Sequence, residues 1–130
     1  MARMFFPNLA VRDLTAAIAF YSALGFENHA GFTDESAAAM VVSDEVVIML
    51  LSPAFAAENG MAPPSGTAAT SHALQVESRA EVDAFMTRAL SAGASPLGEP
   101  QELGFMYARG MTDPDGHIWH AHWMDPAALP

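Results

Sequence analysis

The chain has no cysteine among its 130 residues, which excludes disulfides, thiolate metal ligands and a catalytic thiol. Basic residues are scarce: five Lys and Arg stand against fifteen Asp and Glu, a net charge of −10 with His neutral. A phosphate backbone needs a basic stripe, so nucleic acid is not an expected partner, nor is an anionic membrane surface. No apolar run approaches the ~18 residues of a membrane span. The segment Met1 to Pro7 lacks the apolar stretch and small-residue cleavage site of a signal peptide. These absences imply a cytoplasmic domain. What is plentiful is apolar: 52% of residues are hydrophobic and only 15% charged, against about a quarter charged in ordinary proteins. That suffices for one well-buried domain.

Along the chain, Met4 to Val11 reads as a strand whose Pro7 suits an edge or a bulge. Asp13 offers an N-cap, and Leu14, Ala17, Ile18, Tyr21 and Leu24 form a helical stripe ended by Gly25. Glu27 to Phe32, Ala37 to Val42 and Val46 to Leu51 read as three strands. Ser52 to Ser65 is a Pro-broken connector with room for one helical turn at Ala54 to Glu58. The pattern then repeats. Ser71 to Val76 is a strand, and Ser78 with Glu81 is a capping box. Val82, Phe85, Met86, Ala89 and Leu90 form the second stripe, ended by Gly93. Strands follow at Ser95 to Gln101, Phe105 to Thr112 and His117 to Met124, with Asp113-Pro114-Asp115-Gly116 as the last turn.

The reading is an α+β fold of two tandem βαβββ modules. Module one covers about 1–52, a linker about 53–69, module two about 70–125 and a frayed tail 126–130. Neither half is expected to make a core alone. Packed together, they form a curved mixed sheet with helices on the convex side and a concave ligand cleft.

Three stretches sharpen this: Asn8-Leu9-Ala10-Val11-Arg12-Asp13-Leu14, Phe20-Tyr21-Ser22-Ala23-Leu24-Gly25-Phe26, and Asp113-Pro114-Asp115-Gly116-His117-Ile118-Trp119. With the duplicated unit, they resemble the vicinal oxygen chelate superfamily, which includes glyoxalase I, bleomycin-resistance proteins and extradiol dioxygenases. The resemblance spans essentially the whole chain and implies a homodimer. It speaks to fold more than to reaction. It also implies four metal-ligand positions, which fall here on Phe6, Met49, Ser71 and His120. Only His120 is a good donor, and a metal needs at least three. The usual site is therefore expected to be missing. A divalent metal held by His120 and His122 is the remaining possibility, with Glu27, Glu99 or Glu102 as a third donor.

Taking Asp113 to Gly116 as a four-residue turn sets Thr112 opposite His117, Arg109 opposite His120 and Tyr107 opposite His122. Alternation then gathers Tyr107, Arg109, Met111, Ile118, His120 and His122 on one face, with Trp119, Ala121 and Trp123 on the other. The expected cleft is apolar on one side (Phe6, Met49, Leu51, Met111, Ile118) and polar on the other (Asn8, Tyr107, Arg109, His120, His122), with Ser71 pointing in and His72 away.

In that arrangement Arg109 grips a carboxylate or phosphate, His120 and His122 move protons, and Tyr107 donates to an oxyanion. The plainer alternatives stay open: a cleft-facing histidine is also just a satisfied polar residue, and Arg109 can simply neutralise nearby acids. His117 is expected to be solvated, His29 to lie on the surface, and the nine Met to fill core gaps. Two functions are expected from this pattern. One is a glyoxalase-like lyase, isomerase or dioxygenase relative acting on a small polar or carboxylate-bearing metabolite. The other is a non-catalytic protein that sequesters a small molecule such as an antibiotic.

Overall fold

A computed structural model describes residues 3–128, so the last two positions of the expected tail lie outside the described residues. The chain divides into two compact units, Met1–Ser65 and Gly66–Pro130. Each carries one four-stranded mixed sheet and a helix packed on it.

In module one the sheet order is β1 (Asn8–Ala10), β4 (Val47–Leu51), β3 (Ala37–Val41) and β2 (Glu27–Asn28), with β1 parallel to β4 and the other pairs antiparallel. Pro7 has no N–H to give and sits on the edge, where its carbonyl still accepts from the Met49 N–H at 2.8 Å. Before it the pairing survives only as a bridge between Phe5 and Val46. Helix α1 (Leu14–Ala23) starts where the Asp13 carboxylate accepts from the Ala16 N–H at 3.0 Å. It buries Ala17, Phe20 and Tyr21 against Leu9, Val11, Ala38, Met40, Ile48 and Leu50, all within 7% of full burial. These sheet residues alternate with those on the opposite face, where a short second helix covers Ala10 and Leu51.

The strand expected over Glu27 to Phe32 stops after two residues and becomes a 3-10 turn, Ala30–Phe32. Side chains explain the change. The Thr33 hydroxyl donates to the His29 carbonyl at 2.8 Å and accepts from the Ala39 N–H at 3.1 Å. These bonds supply locally what a strand ladder would otherwise provide. The short helix α2 (Pro53–Glu58), capped by Ser52, forms where one turn was expected.

In module two the order is β5 (Ser71–Gln75), β8 (Ile118–Met124), β7 (Met106–Thr112) and β6 (Ser95–Glu102), with β5 parallel to β8. Helix α3 (Arg79–Ser91) begins at the expected cap: the Ser78 hydroxyl accepts from the Glu81 N–H at 3.1 Å. The Glu81 carboxylate accepts from the Glu77 N–H at 3.0 Å rather than from the cap residue itself. Val82, Phe85, Met86 and Ala89 are buried from α3, and Met111, Trp119 and Ala121 from the sheet. Among the described residues no helix is long and apolar enough to cross a membrane.

Candidate functional site

The β7–β8 hairpin is where the structure departs most from the sequence reading. The closing pair is Asp113 and His117, with the Asp113 N–H donating to the His117 carbonyl at 2.9 Å, so the loop holds three residues, Pro114, Asp115 and Gly116. Gly116 has φ +93°, the left-handed position that ends this type of loop. The Asp113 carboxylate accepts the N–H groups of Asp115 and His117 at 2.9 and 2.8 Å, which accounts for its burial. His117 is half-buried here rather than solvated.

The register consequently runs one residue away from the expected one. Thr112 faces Ile118, Gly110 faces His120, Arg109 faces Ala121, Ala108 faces His122 and Tyr107 faces Trp123. A one-residue slip exchanges the faces of a strand, and three expected site residues are displaced by it. Tyr107 and Arg109 lie on the α3 face, where both donate to Asp83 Oδ1, at 2.7 and 3.1 Å. Met111 is fully buried beside them. None of the three shares a face with His120 and His122.

Electrostatics follows this contact. The Tyr107 hydroxyl, then Arg109, hold the Asp83 carboxyl below its usual range, and the same hydrogen bond to Asp83 pushes the Tyr107 phenol up. Nearby, Arg79 forks onto Glu102 at 2.8 and 3.0 Å and lies 4.3 Å over the Trp123 ring. Arg79, helped by the Gly104 N–H, brings Glu102 down to about 2. Glu102 is thereby committed to Arg79 and is not a free third donor for a metal.

On the helix-free face of sheet two, Ser71 pairs with Ile118, Ala73 with His120 and Gln75 with His122. Ser71, Ile118, His120 and His122 thus occupy the face expected of them. His72 turns to the other side and rests its ring 5.0 Å from Trp119, where burial and the neighbouring His117 lower its pKa against the pull of Asp113. Across β7, an added Cβ on Gly110 would meet His120 Cδ2 and Nε2 at 2.9 Å. The imidazole therefore leans over the space that a side chain at Gly110 would fill.

The face of sheet one opposite α1 bears a hollow of about 460 Å³ lined by Met4, Phe6, His29, Phe32, Ala39, Val41, Val47 and Met49. Phe6 and Met49, expected to line a cleft, are among these lining residues. Leu51 is not: with Ala10 it is sealed under α2 against Ala56. Asn8 does not line the hollow either, and its amide donates to the Phe6 carbonyl at 2.8 Å. Met4, His29, Phe32, Ala39, Val41 and Val47 complete the lining and were not expected in a cleft, though His29 is exposed as expected. Among them His29 and Phe32 come from between β2 and β3. They reach the hollow because the 3-10 turn brings their rings to a 4.7 Å contact, and a Cβ on Gly31 would meet the His29 ring at 3.0 Å. Gly31 inside an expected strand was the available signal.

Module one does not have the chemistry for the metal implied by the resemblance. Phe6 offers only carbon and Met49 a soft thioether, while Ser71 in module two offers a weak hydroxyl beside the single good donor, His120. Among the described residues no group of three or more His, Asp or Glu could hold an ion, so His120 and His122 have no third partner there.

The family signature described as the Glyoxalase/Bleomycin resistance protein/Dioxygenase superfamily matches residues 3–121. The chain belongs to this superfamily. Solved structures share the fold. One is a glyoxalase/bleomycin resistance protein/dioxygenase family enzyme from Burkholderia phytofirmans PsJN, 20% identical with TM-score 0.81, covering 95% of this chain and 99% of that one. Another is a hypothetical protein from S. aureus at 22% and 0.79, covering 95% and 94%. A third is a glyoxalase-related enzyme from Fulvimarina pelagi at 21% and 0.78, covering 95% and 88%. No curated protein matches the chain.

Proposed function

We propose that this chain is a small-molecule-binding member of the superfamily that works without the four-ligand metal site, taking an apolar ligand on the face of module one opposite α1. One observation carries the reading: Phe6 and Met49, at two positions where the resemblance implies metal ligands, both line the 460 Å³ hollow. That volume lies within the roughly 300–1,000 Å³ usual for ligand sites. The expected carboxylate clamp has no support, since Arg109 is tied to Asp83. The reading is therefore the sequestering alternative rather than the acid–base enzyme, and a cytoplasmic homodimer goes with it as part of the proposal.

Nile red, uncharged and apolar, is a suitable probe. One equivalent is expected to bind with enhanced fluorescence, unchanged by EDTA. Met49→Glu, which sets a carboxylate in the hollow, is expected to weaken binding at least roughly tenfold while thermal unfolding stays cooperative. Loss of binding on chelation, or full affinity in Met49→Glu, would refute the proposal. A second reading, proton transfer by His120, is favoured by the berth over Gly110. It requires an activity that His120→Ala abolishes.

A further inference from the structure

We infer that the hollow of module one selects a flat, uncharged aromatic ring system over a saturated one of equal bulk. This inference rests on reading the hollow as a ligand site and adds the class of ligand. Its lining divides into two kinds of surface. Ala39, Val41 and Val47 are small or β-branched strand residues and offer a featureless apolar floor. Around them stand three rings, Phe6, His29 and Phe32, and two thioethers, Met4 and Met49.

Phe6 and Phe32 are 47% and 72% exposed, and Met4 45%. So much apolar side chain left in water marks a binding surface more than a folding requirement. Rings contribute edge-to-face and offset contacts beyond the area they bury, and sulfur adds favourable contacts at ring edges. A saturated ligand gains the area alone. Charge is disfavoured on both signs. No Lys, Arg, Asp or Glu lines the hollow, and Glu27, opposite Val41 in the register, is not among the lining residues. A carboxylate would lose water there and meet no cationic residue, only the His29 ring, and an ammonium group would find no carboxylate to offset its lost hydration.

The test uses matched uncharged probes, 2-naphthalenemethanol and its fully saturated decahydro analogue, with 2-naphthoate as the anionic arm, measured by titration calorimetry on the full chain. The naphthyl alcohol is expected to bind about fivefold tighter than the saturated one and tighter than the naphthoate. Met49→Leu and Phe32→Leu keep apolar bulk, so they are expected to weaken the naphthyl alcohol more than the saturated one and so narrow the aromatic preference. Equal binding of the two alcohols would overturn the aromatic selectivity and leave the ligand-site reading standing. Tighter binding of naphthoate would overturn the claim of an uncharged ligand. Failure of all three probes to bind would overturn both readings together.

Discussion

The His120 imidazole occupies the space that a side chain on Gly110 would need, with Cδ2 and Nε2 both 2.9 Å from the position of the missing Cβ. Glycine inside a strand costs stability, and here its absence of a side chain gives the ring a place to lie across β7. Gly110→Ala should therefore displace His120 rather than simply stiffen the strand. A double-mutant cycle with His120→Ala is expected to give a coupling of about 1 kcal/mol, because losing the ring removes the two shortest contacts of the added methyl and leaves the Leu97 carbonyl oxygen at 3.1 Å. Additive effects in urea unfolding would show that the two positions do not compete for space.

The Tyr107–Asp83–Arg109 contact ties α3 to β7. Because the Asp83 hydrogen bond raises the Tyr107 phenol, Asp83→Asn should bring its spectrophotometric titration back toward ~10. Arg109→Ala should cost no more than about 1 kcal/mol, since the pair is partly exposed and screened. It should leave the binding of apolar probes unchanged.

Burial lowers the pKa of His72 beside Trp119. With the folded value below the unfolded one, the unfolded chain takes up its proton first as pH falls. The contribution is fully present above the unfolded value of about 6.5 and is lost as pH drops from there toward the folded pKa. Urea midpoints measured from pH 7.5 to 5 should therefore fall on acidification. His72→Gln should flatten that slope. An unchanged slope would locate the effect elsewhere.

Gly116 combines a φ of +93° with a backbone neighbour, Gly66, whose carbonyl carbon lies 2.6 Å from where a Cβ would stand. The Gly66 Cα and oxygen follow at 2.7 and 2.8 Å, and none of the three is the end of a flexible side chain. Gly116→Ala should cost roughly 2 kcal/mol or more, and amide shifts along β7 and β8 should report a disturbed hairpin. A stable variant with unperturbed strands would contradict the loop assignment.

Local chemistry is what made most of the fold legible. Asp13 and Ser78 cap helices within their own few residues, and the stripe Val82, Phe85, Met86 and Ala89 repeats at helical spacing, so both helices could be read without tertiary information. The positions of Phe6 and Met49 on the face opposite α1 came instead from the resemblance to the superfamily, whose ligand positions fall on them. The hairpin register was not legible. Asp-Pro-Asp-Gly fits both a four-residue turn and the three-residue loop that forms, and this one-residue ambiguity exchanges strand faces. Tyr107 and Arg109 thereby moved from a supposed site to a contact with α3. The hollow was only half visible because His29 and Phe32 arrive by a turn that Thr33 secures from outside the strand pattern.

Methyl-labelled methionine spectra with 2-naphthalenemethanol test the central claim directly, because methionines mark both the hollow of module one and the His120 face of module two. Met4 and Met49 line the hollow of module one, while Met106 and Met124 pair on the face that bears His120. Binding to the hollow predicts saturable shifts at Met4 and Met49 with Met106 and Met124 unmoved. Shifts confined to Met106 and Met124 would contradict it and assign the ligand to the histidine face instead.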